Sequence, residues 1–259
     1  MKNIVLHSGG VQWRGLFSFV NQYLAVIRSL HLKNMEVVVD FDLNHETGYY
    51  DSNIEFTNNV WHYYFTSPQH EGVTSTDRTV WYDTGNFYGY SFDYNNNEER
   101  LLVEKLISEK LILREEITNE IDKLYDTTLK GFKVLGVHKR GTDIGMHHIK
   151  LSLDDYFSVI DTKVDSFDKI LLCTDERSVV DAFKLRYDNV VNISYDTLSD
   201  NPNLPNFMIV TNNGYNVGKD SIIDAYLLSK SDFLIQTNSN LSNFSLLLNA
   251  KLPHIRLKS

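Results

Sequence analysis

The sequence predicts an α/β protein of two Rossmann-like domains whose parallel sheets face one another across a cleft. Three observations carry this expectation. Short apolar runs that end in polar turns alternate with longer amphipathic segments in both halves of the chain, the order expected of parallel strands joined by right-handed helical crossovers. The 259 residues are enough for two modest α/β cores. Between the alternating halves, residues 47–95 differ in kind, being rich in Tyr, Phe and Trp among Asn, Gly, Ser and Asp.

Taken in order, Asn3–His7 reads as a buried strand closed by Ser8-Gly9-Gly10. A helix is expected from about Gly15 to Leu32, with Leu16, Phe19, Val20, Tyr23, Leu24, Ile27 and Leu30 on one face. Val37-Val38-Val39 is the second strand, and with the glycine loop it forms a mononucleotide-binding β-α-β unit. Helical periodicity returns over Asn97–Tyr125 through Leu106, Leu113, Ile117, Ile121 and Leu124. The division between domains is placed so that residues 1–128 form the first and residues 129–259 the second.

In the second half Val134–His138 is a strand, and Ser152 with Asp155 opens a helix as a capping box. Ile170–Thr174, Ser178–Tyr187 and Val190–Ile193 read as strand, helix and strand. After a loop holding Pro202 and Pro205, a helix is expected over Ser221–Lys230. Strand Phe233–Gln236, a helix from about Leu241 and strand His254–Leu257 follow.

Composition narrows the function. A net charge of −9 and a pI near 5.4 argue against nucleic acid as partner, since that affinity rests on basic surface. The single cysteine, Cys173, lies in the apolar run Ile170–Cys173, where a buried thiol is expected. No window approaches the length of an apolar membrane span and no signal peptide is visible, so the expectation is a cytoplasmic protein.

Three stretches have the placement that chemistry needs. Ser8–Gly15 joins a strand to a helix, where the backbone of Gly9 and Gly10 can approach a phosphate and the helix dipole favours an anion. Its spacing is not G-x-G-x-x-G, which disfavours a nicotinamide-linked oxidoreductase. Gly136–Asp143 runs a strand straight into a basic turn at the sheet's C-terminal edge, where Arg140 offers a charged fork suited to a diphosphate. Its bland reading is a surface salt bridge. In Ser221–Asn240, Thr237, Ser239 and Asn240 occupy a strand-to-helix turn, another anion-binding position. Ser221 and Asp224 also have capping-box spacing, a structural role that competes with a ligand role for Asp224.

These stretches resemble the fucosyltransferase superfamily that includes the α1,6-fucosyltransferases, the rhizobial nodulation-factor fucosyltransferases and the protein O-fucosyltransferases. His138, Arg140, Thr142 and Asp143 match its H-x-R motif after a strand. Asp224, Leu228, Ser229, Asp232, Phe233, Leu234, Ile235, Thr237 and Ser239 match its late block, and Thr174-Asp175 and the glycine-rich start also fit. The resemblance covers residues 130–250 well and residues 3–42 loosely.

The resemblance implies a GT-B fold, an inverting transfer and GDP-fucose as donor, with a glycan acceptor and no metal. It implies that Arg140 meets the β-phosphate, that His138 and Asp224 contact the guanine, and that Ser239 and Asn240 lie near the phosphates. Gly141 stands where the α1,6 branch has a second arginine, and Asn240 where the late block has a second serine. The chain is shorter than the eukaryotic members and lacks their anchor, which points to a bacterial or viral setting.

The general base is open between Asp77, in a polar loop flanked by aromatics, and His147 or His148 after the H-x-R turn. Trp61, Tyr63, Tyr64, Trp81 and Tyr82 are candidates for stacking on acceptor sugars, or else belong to the core. The rivals are the same fold with a UDP-sugar such as UDP-xylose, a GT-A enzyme using Asp40-Phe41-Asp42 as a metal-binding D-x-D, and a non-catalytic nucleotide- or glycan-binding module.

Overall fold

Apolar runs closed by polar turns do form two parallel sheets. The computed structural model describes residues 3–7, 15–30, 36–40, 48–55, 57, 59–66, 80–83, 92–141, 151–201, 203–204, 208 and 213–258. In the first sheet, β1 (Asn3–His7) lies between β2 (Glu36–Asp40) and β4 (Val80–Asp83), all parallel. Helix α1 (Leu16–Leu30) forms the crossover from β1 to β2, and its apolar face is buried along its length.

The aromatic segment contributes α2 (Trp61–Tyr64) and β3 (Phe65–Thr66). Here the expectation of sugar-stacking rings is corrected. Trp61 is 2 % exposed and Tyr63 and Tyr64 are fully buried. Trp61 packs its ring 5.1 Å from that of Tyr23 and 4.3 Å from that of Phe65. Large rings on a short helix fill the space under α1, so they serve packing. Trp81 and Tyr82 lie on β4, and their side chains fall outside the described residues.

The helix expected over Asn97–Tyr125 is two helices, α3 (Asn97–Lys110) and α4 (Glu115–Thr128). Between them β5 (Ile112–Leu113) pairs antiparallel with β3, and the Arg114 N–H donates to the Tyr64 carbonyl at 2.9 Å. This pairing overrides helix propensity, and the apolar period continues across the break, which hid it. Asn96 caps α3 by accepting from the N–H groups of Glu98 and Glu99.

The second sheet holds β6 (Val134–Lys139), β7 (Lys169–Thr174), β8 (Val190–Val191), β9 (Phe233–Gln236) and β10 (His254–Arg256). All are parallel, in the order β10-β9-β6-β7-β8. Alternate residues of a strand face opposite sides, so one run supplies both layers. Ile170 and Leu172 meet α5 (Leu153–Ile160) and α6 (Arg177–Arg186). Leu171 and Cys173 meet α7 (Gly214–Ser229) and α8 (Asn240–Leu248). The Ser152–Asp155 capping box is present at the start of α5.

Helix α7 begins seven residues earlier than expected. Gly214 and Gly218, poor helix formers, masked its start because close packing demands them. A Cβ at Gly214 would stand 2.3 Å from the Tyr50 carbonyl oxygen, and one at Gly218 2.1 Å from the Tyr64 hydroxyl. Ser221 is therefore mid-helix, its hydroxyl donating to the Gly218 carbonyl, and the Ser221–Asp224 capping box does not form. The two halves share one core: α7 and α8 pack among α1, α2, α3 and α4. Arg100 of α3 donates to the carbonyls of Leu246, Asn249 and Leu252 at 3.1, 2.8 and 3.2 Å, closing the end of α8.

Candidate functional site

In the second sheet the chain winds outward in both directions from β6 and β9. Their C-terminal ends therefore mark the topological switch point, where crossovers diverge and leave a crevice. His138 of β6 stands in register with Gln236 of β9. Beneath them the Tyr156 hydroxyl lies 3.3 Å from the His138 carbonyl and 3.4 Å from the Thr237 hydroxyl, pinning the two strand ends together.

A cleft opens at this point, between the start of α1 and the second half. Of the residues the sequence singled out, His138, Arg140, Asp224, Ser239 and Asn240 line it. Thr237 does not; it is 2 % exposed behind the cleft, against Tyr156. Gly9, Gly10, Asp77, His147 and His148, with Thr142 and Asp143, lie outside the described residues.

Two helices point their N-termini into the cleft. Gly15, Leu16, Phe17 and Ser18 open α1, and Ser239, Asn240 and Leu241 open α8. The ends are tied together, since Asn21 donates to the backbone and side-chain oxygens of Asn240 at 3.2 and 3.3 Å. Ser239 makes no side-chain cap to α8. Converging N–H groups and dipoles favour an anion here, and Arg140 lines the same cleft.

The cleft also carries acidic groups. Asp224 is 5 % exposed and accepts from the Ser194 hydroxyl at 2.7 Å. Burial, with the charge of Asp220 adding to it, pushes the Asp224 carboxyl up to about 7. Asp220 lies one turn earlier, accepts from the Thr197 hydroxyl at 2.7 Å and is also raised by burial. His138 is 5 % exposed, and its Nδ1 has no hydrogen-bond partner among the described residues. Burial first, then the charges of Arg140 and Lys139, lower it to about 3, so the ring is neutral at ordinary pH.

Sequence reasoning missed Asp220, Ser194, Thr197 and Tyr49. Asp220 had a signal, the i, i+4 spacing to Asp224. Ser194 and Thr197 sit in a loop without periodicity. Tyr49 lines the cleft, and its hydroxyl accepts the Leu16 N–H at 2.9 Å. Among the described residues no group of His, Cys, Asp and Glu is placed to hold a metal, and no helix is long and apolar enough to cross a membrane.

No family model matches the sequence, and no curated protein matches it. Solved structures do match. The chain is similar to the fucosyltransferase NodZ from Bradyrhizobium, with a TM-score of 0.59 at 17% identity over 96% of this chain and 93% of that one. It is similar to a NodZ α-1,6-fucosyltransferase soaked with GDP-fucose, with a TM-score of 0.56 at 17% identity over the same shares. A variant of FUT1 from Arabidopsis thaliana in complex with GDP gives 0.54 at 11% identity, over 99% of this chain and 70% of that one.

The chain has the GT-B fold. The GT-A alternative is set aside by this fold. Asp40 instead ends β2 in the first sheet, in register with His7; Phe41 and Asp42 lie outside the described residues.

Proposed function

We propose that this chain is an inverting, metal-independent glycosyltransferase that moves L-fucose from GDP-fucose onto a hydroxyl of a glycan acceptor. The observation that carries the reading is the make-up of one cleft at the switch point. Arg140 and two helix N-termini, which suit an anion, share its lining with the carboxyl groups of Asp224 and Asp220. A nucleoside diphosphate calls for both kinds of group, with anionic phosphates and, in guanine, a donor edge of N1–H and N2–H₂. NodZ and FUT1, whose fold this chain shares, have been solved with GDP-fucose and GDP.

In this reading residues 129–259 hold the donor and residues 1–128 face the acceptor. The Asp224 carboxylate accepts from the guanine edge, and neutral His138 contacts the same base. Arg140, with the backbone N–H groups of Ser239, Asn240 and the Gly9-Gly10 loop, takes the negative charge that grows on the β-phosphate as the C1–O bond breaks. Thr237 supports this turn through Tyr156. The acceptor oxygen attacks C1 from the opposite face and gives its proton to a base. Asp77 is the preferred base and His147 the rival. Asp77→Asn should lose turnover and keep donor affinity, and His147→Ala should keep both; the reverse pattern exchanges the roles.

Thermal shift separates the donors. GDP should raise the melting temperature more than UDP, because stabilisation follows RT ln(1 + [L]/Kd), about 2.7 kcal/mol at a hundredfold excess over Kd. A larger shift with UDP overturns the guanine reading. Transfer from GDP-fucose should survive excess EDTA; loss restored by manganese overturns the metal-independent step. Binding of GDP without turnover on any glycan would make the chain a binding module.

A further inference from the structure

We propose that Glu176 is a positioning residue for Arg140, clamping the two residues that flank it; the proposal rests on the reading of Arg140 as the phosphate-facing group. Arg140 stands between Lys139, the last residue of β6, and Gly141. On one side the Lys139 ammonium meets the Glu176 carboxylate at 3.3 Å, with the two side chains only 3% and 6% exposed. On the other, the Gly141 N–H donates to Asp175 Oδ1 at 2.9 Å. A Cβ on Gly141 would stand 1.1 Å from Glu176 Oε1, 2.2 Å from its Cδ and 2.9 Å from its Cγ. The Glu176 side chain thus fills the space that any side chain at position 141 would need.

Glu176 is itself anchored. It forms a backbone bridge with Ser199, the Ser199 N–H donates to the Asp175 carbonyl at 3.0 Å, and the Arg177 N–H to the Ser199 carbonyl at 3.1 Å. The Glu176 N–H donates to the Thr174 hydroxyl at 3.3 Å. Buried ion pairs are poor devices for stability, because desolvating both charges offsets their attraction. This one fixes the backbone on either side of the one cleft-lining guanidinium among the described residues. A cation held in place before reaction avoids the reorganisation that a tethered one must undergo. The same pair keeps the Lys139 charge on Glu176. The loop that anchors Glu176 also carries Ser194 and Thr197, which hold Asp224 and Asp220, so the clamp shares a frame with these carboxyl groups of the cleft.

The test compares GDP with guanosine by calorimetry, since only GDP reaches Arg140. Wild type should bind GDP more tightly than guanosine. In Glu176→Gln and Gly141→Ala this ratio should fall about tenfold or more, with guanosine affinity held within about twofold and kcat down about 10²-fold at constant acceptor KM. Gly141→Ala/Glu176→Asp withdraws the carboxylate by one methylene and should recover part of the loss. The affinity ratio is read on folded molecules alone, so a fall in melting temperature with an unchanged ratio overturns the proposal. Should Glu176→Gln fail to fold, Gly141→Ala, which keeps the Glu176 carboxylate in the chain while displacing it, carries the reading by itself. Wild type that binds no GDP would instead overturn the donor site itself.

Discussion

The second half and the aromatic segment of the first half were both rich in chemistry-bearing residues, and the fold uses them in opposite ways. Polar residues at the ends of β6, β7 and β9 converge on one cleft although they are far apart in sequence, from His138 to Asn240. The aromatics of α2 turn inward and form the floor under α1. A parallel sheet gathers all its strand ends along one edge, so a polar residue just past an apolar run has an address before the structure is known. An aromatic ring has no such address. It buries a large apolar area wherever the layers leave room, and its hydroxyl finds a partner there, as Tyr64 does at the Gly214 and Tyr215 carbonyls.

Trp61→Ala tests the aromatic side of this contrast and should have the largest effect. Removing a buried indole costs about 3–5 kcal/mol of stability, read as a shift in the urea midpoint. Acceptor KM in the remaining folded protein should not move. A folded variant of unchanged stability and raised acceptor KM would return Trp61 to the sugar site.

Arg140→Ala tests the polar side. Transfer should fall about 10²–10³-fold, the loss typical of one preorganised electrostatic contact, while the urea midpoint stays close to wild type. Near-normal turnover would remove Arg140 from the leaving-group role. The two substitutions should therefore separate cleanly, one lowering stability alone and the other rate alone.

What was legible follows from the same contrast. The strands of the second sheet, β1 and β2 of the first, and the Ser152 capping box could be read, because strand periodicity and strand-end position are local; β4, inside the aromatic segment, was not. The break between α3 and α4 was not, because it is set by pairing of β5 with β3, some 46 residues away at Thr66 and Ile112. The start of α7 was hidden because Gly214 and Gly218 answer to Tyr50 and Tyr64 rather than to the helix. That error gave Asp224 a capping role, and correcting it leaves the carboxylate one turn from Asp220 on the wall of the cleft. The Glu176 clamp had no sequence signal, since an ion pair between a strand end and the next strand's turn depends on the register of β6 with β7.

The smallest predicted effect is a pH dependence centred on Asp224. Asp224 titrates near 7 because burial and Asp220 disfavour its charge, whereas the donor edge of guanine needs the carboxylate. Guanosine should therefore bind with constant affinity above about pH 7 and lose about tenfold per unit below it. Guanosine is the better probe than GDP, whose terminal phosphate itself titrates near 6. His138, held near 3, adds no proton in this window. The stability terms have opposite signs. The raised Asp224 carboxyl lowers stability as pH rises from about 4 to 7, and the depressed His138 raises it from about 3 to 6.5. Asp224→Asn, which still accepts from Ser194, should remove the first slope alone, stabilise the fold at pH 8 and bind guanosine weakly with no bend at pH 7. A bend that survives in Asp224→Asn would assign the titration to Asp220, whose carboxyl is also raised and faces the same cleft.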